Sequence, residues 1–231
     1  ENPTYKRAYR IFCSFAYEVK MVPMDESGMR VDLLEESGAD LAYVMPSHQF
    51  PTGIVMPIGR RLELLRWASS GAERYLIEDD YDSEFRYRGK PVPSLQASDK
   101  AGRVIYIGTF SKAIAPAIRV SYMVLPESLL ERYRSQCMFF SSTVSRLDQS
   151  VLHEFIRDGA FERHLNKMRK IYKSRHDRLL LCCKKYLNHV TVSGENAGLH
   201  LLLHCHGGKT EQELLRLAAE RDMKLYGMSD T

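Results

Sequence analysis

The sequence predicts an α/β fold: a mostly parallel sheet with helices on both faces, then the start of a smaller α+β domain. Three observations predict it. Short apolar runs at residues 41–45, 75–77, 104–107 and 120–125 alternate with helix-patterned segments, as a parallel sheet covered on both faces requires. The first three runs lead into SHQFPTG, EDDYD and GTFSK, polar segments of the kind that line the crevice at the carboxyl ends of strands. Beyond residue 142 the pattern turns helical and then reads strand, strand, helix, strand. The expected division is residues 1–142 and 143–231.

Bulk properties narrow the class. A chain of 231 residues with 44% hydrophobic content can bury a real core. The net charge of +4 suits an anionic small molecule; it falls short of the dense basic surface of a nucleic-acid module. Cys13, Cys137, Cys182, Cys183 and Cys205 are odd in number and lack metal-type spacing, so a reduced, cytoplasmic setting is expected. No stretch reads as a membrane span or a signal peptide. The opening at Glu1 suggests a piece of a longer chain.

In chain order, residues 1–15 read as a turn at Asn2-Pro3 followed by a helix. Residues 18–22 read as a strand and 25–29 as a turn around Gly28. A helix over 31–36 stops at Ser37-Gly38. The run 41–45 delivers the loop 46–53, and Leu62, Leu65 and Ala68 mark an amphipathic helix over 60–68. After the strand at 75–77, Asp80, Asp82 and Glu84 read as a solvated turn. Helices follow at 127–134, 147–157 and 161–187, broken at Gly159. Residues 163–178 are rich in base, but Leu165, Met168, Ile171 and Tyr172 recur at helical spacing, giving one buried face and one solvated basic face. His200, Leu202, His204 and His206 share a strand face by alternation. Imidazoles ligate zinc, yet ordinary packing accounts for the spacing and no metal is expected. Thr210 and Glu213 form a capping-box pattern.

The chemistry concentrates between residues 75 and 126. A lysine (Lys112) can form a Schiff base with an aldehyde. A carboxylate at a strand end (Asp79) can keep a pyridine nitrogen protonated. Hydroxyls (Thr109, Ser111) and a planar guanidinium (Arg119) suit a phosphate. A phenol (Tyr81) can sit beside a ring oxygen. This set fits pyridoxal 5'-phosphate.

The blocks DDYDSEFRYRG (79–89), TFSK (109–112) and PAIRVSYMVLP (116–126), with SHQFPTG (47–53) and ENPTYKR (1–7), resemble the aminotransferase-like domain of MocR-type regulators of the GntR family, within fold-type I pyridoxal phosphate proteins. The resemblance covers nearly the whole chain. It implies that Lys112 carries the Schiff base, Asp79 faces the ring nitrogen and Tyr81 approaches the ring hydroxyl. Thr109, Ser111 and Arg119 would hold the phosphate, and Tyr5 would stack on the ring. Arg7 would meet a substrate carboxylate, with His48 and Gln49 near the ring or an effector. Ordinary aminotransferases place the tyrosine three positions after the aspartate, where Asp82 stands here. They also place an amide before the proline where this chain has Phe50, and often a glycine where it has Ala117.

The implied function is effector sensing in a transcriptional regulator, by aldimine exchange with an amine or amino acid at Lys112. The alternative is an aminotransferase acting between an amino acid and a 2-oxo acid. A homodimer is implied, with DNA bound through an upstream winged helix. An earlier phosphate-binding glycine loop and a later carboxylate-binding arginine are missing from the sequence. By itself the chain is therefore expected to hold the cofactor weakly or not at all.

Overall fold

The computed structural model describes residues 1–89 and 92–230. Lys90 and Pro91, just after the acidic block, and Thr231, the end of the expected second domain, lie outside the described residues. The elements run α1 (Lys6–Ser14), β1 (Met24–Asp25), β2 (Gly28–Met29), α2 (Val31–Glu36), β3 (Leu41–Val44), α3 (Ile58–Ser69), β4 (Tyr75–Asp80), α4 (Leu95–Ser98), β5 (Val104–Thr109) and β6 (Ser121–Val124). They continue as α5 (Glu127–Cys137), α6 (Arg146–Arg157), α7 (Ala160–Tyr186), β7 (Val190–Ser193), β8 (Leu202–Cys205) and α8 (Glu211–Ala219).

The main sheet has the order β3-β4-β5-β6, the first three strands parallel and β6 antiparallel. One face carries Ala42, Val44, Leu76 and Val104 against Leu64, Leu65, Trp67 and Ala68 of α3. The other is reached by α1, whose Phe12 meets Tyr43 edge-on at 5.9 Å between ring centroids. The fold is thus the mixed, largely parallel α/β sheet expected.

β4 runs three residues beyond the apolar run 75–77, and the reason is satisfaction of its acids. Glu78 is fully buried but accepts the N–H groups of Leu95 and Gln96, each at 2.9 Å, with Arg61 at 3.9 Å. Arg61, equally buried, donates to the carbonyls of Met56, Pro93 and Pro46. Buried charge is tolerated when every group finds such partners.

A second cluster fixes the loops. Phe85, Ala113 and Leu165 are buried together, with Tyr87, Phe161, Met168, Tyr172 and Leu199 packed around them. It binds the segment after β4 and the turn after β5 to the apolar face of α7, the buried side that the spacing of Leu165, Met168 and Tyr172 predicts. β7 and β8 form a separate antiparallel pair. The segment before β8 returns to the first part: Gly198 N–H donates to Phe85 O at 2.6 Å, and Tyr87 N–H to Asn196 O at 3.0 Å. Among the described residues no helix is long and apolar enough to cross a membrane.

Three expectations need correction. Residues 18–22 are not a strand: the Val22 carbonyl accepts Asn2 N–H, and no neighbouring strand runs alongside. The final element is a 3-10 turn at Met228–Asp230 rather than a strand; Glu211 accepts the N–H groups of Met228 and Ser229 there. The acidic turn is not solvated, because Asp80 and Asp82 are buried. Asp80 accepts from the Tyr106 hydroxyl at 2.7 Å and from Ser83 N–H at 3.1 Å.

Candidate functional site

Asp79 is the fifth residue of β4 and alternates onto the face shared by Tyr43 and Ile77. Its Oδ2 accepts a short hydrogen bond from the Tyr43 hydroxyl. Burial raises the proton affinity of the carboxyl, and the Tyr43 bond offsets part of that. Burial also drives the Tyr43 phenol far above its ordinary range, so it stays a donor.

Tyr81 follows on the next turn. Its hydroxyl lies 3.2 Å from His48 Nδ1, at the end of the loop that β3 delivers. Burial, then the charges of Asp82 and Asp79, push the phenol far up, so it too stays protonated. His48 Nδ1 lies 3.0 Å from Asp82 Oδ2. Against the same imidazole lies the ring of His200, 4.4 Å between centroids. His200 Nε2 faces Pro51 O at 3.2 Å. Burial, first of all, pushes His200 down to about 4. Phe50 meets His200 at 5.4 Å and Tyr5 at 5.8 Å. A row of rings therefore joins Tyr5 to Tyr81 through Phe50, His200 and His48.

Lys112 sits in the turn directly after β5, exposed, with no hydrogen bond or ion pair among the described residues. Its neighbour Ala113 packs in the cluster that holds Phe85, with Leu199, the residue before His200, against it. Thr109 closes the loop: its hydroxyl donates to Val120 O and accepts Ser111 N–H, both at 3.2 Å. The Ser111 hydroxyl has no partner among the described residues. Arg119 ends a 3-10 turn over Pro116–Ile118 in the left-handed region, φ 49° and ψ 34°. A non-glycine residue held there costs about 1–3 kcal/mol, a cost met most often at ligand sites. Its guanidinium is exposed and unpaired among the described residues.

Two expected residues behave differently. Arg7 is exposed on α1, with no bond to the other site residues. Gln49 is buried and ties its loop to the start of the chain: its amide nitrogen donates to Pro3 O at 2.7 Å and Glu1 Oε1 at 3.3 Å, while its oxygen accepts from Thr52 N–H at 3.0 Å and Thr52 O–H at 2.5 Å. A cavity of about 350 Å³ lies on the Tyr43 side, lined by Phe12, Tyr17, Val22, Leu34 and Ala42 among others; none of the ten expected site residues lines it.

Sequence reading missed Asp82, Tyr43 and the isolation of His200 from its neighbours. His204 and His206 bond Ser193 and Thr191 at the exposed surface, whereas His200 precedes β8 and turns inward. His48, Asp82 and His200 each offer a ligand-type atom, all within 4.8 Å of one another, a spacing able to hold a metal ion. No spacing in the sequence joins these three; only the return of the segment before β8 does.

The family model for aminotransferase class I and II matches residues 2–226. The uncharacterized HTH-type transcriptional regulator YdeL of Bacillus subtilis is 42% identical over 230 residues, covering 99% of this chain and 50% of that protein. The probable rhizopine catabolism regulatory protein MocR of Rhizobium meliloti is 33% identical over 230 residues, covering 99% of this chain and 46% of that protein. Among solved structures, the kynurenine aminotransferase of Pyrococcus horikoshii superposes with a TM-score of 0.82 at 29% identity, covering 96% of this chain and 57% of that one. The chain spans about half the length of the curated relatives it matches.

Proposed function

The chain belongs to the aminotransferase class I and II family, and from that premise we propose that it forms part of a pyridoxal phosphate-dependent, effector-sensing domain of a transcriptional regulator. In this reading residues 1–142 contribute to the large cofactor domain, and residues 143–231 supply linking helices and part of the small one. The observation that carries it is the loop between β5 and β6. It presents the Lys112 ammonium, the Ser111 hydroxyl and the Arg119 guanidinium without partners among the described residues.

That donor set fits the cofactor. An unpaired ammonium suits an aldehyde, and a hydroxyl with a planar guanidinium suits a phosphate. Asp79, whose charge burial disfavours, gains from a cationic ring nitrogen placed against it. When bound, pyridoxal phosphate supplies the aldehyde that captures amines and a ring that takes up electrons. Lys112 would supply the amine that meets the aldehyde, the position for which an amine or amino acid would compete. Asp79 would face the pyridine nitrogen and favour its protonated form, its carboxylate oriented by the Tyr43 hydroxyl. Tyr81 would donate to the ring oxygen, Tyr5 would stack on the ring and Arg7 would receive an effector carboxylate. His48 acts beside Tyr81, and Gln49 through the loop it pins. The domain works as a homodimer in the cytoplasm, with DNA bound by a part of the protein outside this chain.

Regulation is favoured because a relative 42% identical over 99% of the chain is a transcriptional regulator. A switch further requires an effector that prefers one of two arrangements. The second reading, amino transfer to a 2-oxo acid, is favoured by the likeness to the kynurenine aminotransferase. Absorbance titration of the full-length protein with pyridoxal phosphate tests the cofactor assignment. A visible band lost in Lys112→Ala and altered by an amino acid supports it; a band indifferent to Lys112 rejects it. An effector-dependent change in DNA affinity selects regulation, whereas sustained conversion of 2-oxo acids selects the enzyme.

A further inference from the structure

The His48 side chain is shut off from solvent, and only one of its ring nitrogens has a partner. Nδ1 lies 3.0 Å from Asp82 Oδ2 and 3.2 Å from the Tyr81 hydroxyl oxygen, while Nε2 has none. Asp82 Oδ2 also accepts Leu199 N–H at 3.2 Å, so that oxygen is an acceptor toward both neighbours. The hydrogen between the two side chains therefore belongs to Nδ1, because a bare nitrogen facing a carboxylate oxygen shares nothing with it. Tyr81 then cannot donate to His48. Its oxygen can only accept there, and its own hydrogen is left without a protein acceptor among the described residues.

We propose that Asp82 and His48 are a positioning pair, fixing His48 with its hydrogen on Nδ1 and thereby aiming the Tyr81 O–H outward as a donor to an oxygen anion on the bound ligand. That the oxygen is the ring oxygen of pyridoxal phosphate rests on the reading above; the state of His48 does not.

The surroundings hold the pair in place. Asp82 and Tyr81 face His48 from the segment after β4, and His200 faces it from the segment before β8. Lys112 acts on His200 from the loop after β5. Held down to about 4, His200 is an uncharged neighbour at neutral pH. Gly198, at φ +73°, packs so closely that a Cβ there would fall 1.8 Å from His48 Nδ1 and 2.6 Å from Asp82 Oδ2. Only glycine leaves room for the contact at that conformation.

The imidazole is tested first, without cofactor, by ¹⁵N NMR of the chain labelled at histidine. Expected is a His48 with Nδ1 protonated and Nε2 bare, which Asp82→Asn loosens into a mixture; Nε2 protonated with Nδ1 bare overturns the proposal. The second measurement is the pH midpoint of the cofactor band in the loaded full-length protein. Tyr81→Phe and His48→Gln each raise it by about one pH unit, the size of one lost hydrogen bond to a charged oxygen. His48→Asn, whose amide nitrogen takes the place of Nδ1, stays near wild type, and adding His48→Gln to Tyr81→Phe shifts nothing further. A midpoint that moves with Tyr81→Phe but not with His48→Gln overturns the pair. Should the wild type take up no cofactor band, the cofactor reading fails and the nitrogen spectrum alone decides the inference.

Discussion

Asp79 illustrates what burying a single carboxyl costs. Its carboxyl is half-buried and gains one hydrogen bond, from Tyr43, against the penalty of desolvation. Because burial raises its proton affinity, the folded chain keeps a proton that the unfolded chain, titrating near about 3.9, has already released. Above that window the folded state carries a disfavoured charge, so this residue's contribution to stability falls as pH rises. Asp79→Asn keeps an acceptor for Tyr43 and removes the charge. Chemical denaturation without cofactor should show it more stable at pH 7 by about 1 kcal/mol, the low end of a buried group's desolvation penalty. The difference should vanish below about pH 4, where the native carboxyl is neutral in both states. Tyr81 and Lys112 were nameable from local chemistry, a phenol and an amine just after strands. The partnership of Asp82 with His48 was not, because those residues are 34 apart and only strand register brings them together.

Helices and strands carry the next level of control. Phe85 has no exposed surface, meets Tyr172 of α7 edge-on at 5.0 Å and packs with Ala113, next to Lys112. Phe85→Ala should cost about 3–5 kcal/mol by denaturation, the transfer and cavity terms together. It should also raise amide exchange in residues 110–115, because the Lys112 turn loses its packing. At the far end, the Thr210 hydroxyl accepts Glu213 N–H while the Glu213 carboxylate accepts Thr210 N–H. Thr210→Ala should cost about 1 kcal/mol, measurable as faster exchange confined to the first turn of α8. That capping box was legible in four consecutive residues because its partners are local. Residues 18–22 misled for the opposite reason: an extended segment becomes a strand only when a neighbouring strand takes up its backbone groups.

Across the whole molecule, the main sheet ends at an open edge. Among the described residues β6 pairs only with β5, and Tyr122, Met123 and Val124 are 42%, 45% and 40% exposed. An apolar edge of this kind templates pairing with other chains. The 231-residue chain alone should therefore self-associate with rising concentration. Met123→Lys should reduce that association in light scattering while leaving the far-ultraviolet circular dichroism unchanged.

The sequence by itself determined the alternating α/β order, the polar segments at the strand ends and the residue types offered there. These follow from periodicity and turn chemistry, which act over a few residues at a time. Only the tertiary structure decided that Asp80 and Asp82 turn inward, that His200 leaves its strand face for His48, and that Gln49 spends its amide nitrogen on Glu1 and Pro3 at the start of the chain. Those outcomes depend on parallel-strand register and on the segment before β8 folding back onto Phe85, contacts between residues far apart in the chain that no local pattern encodes.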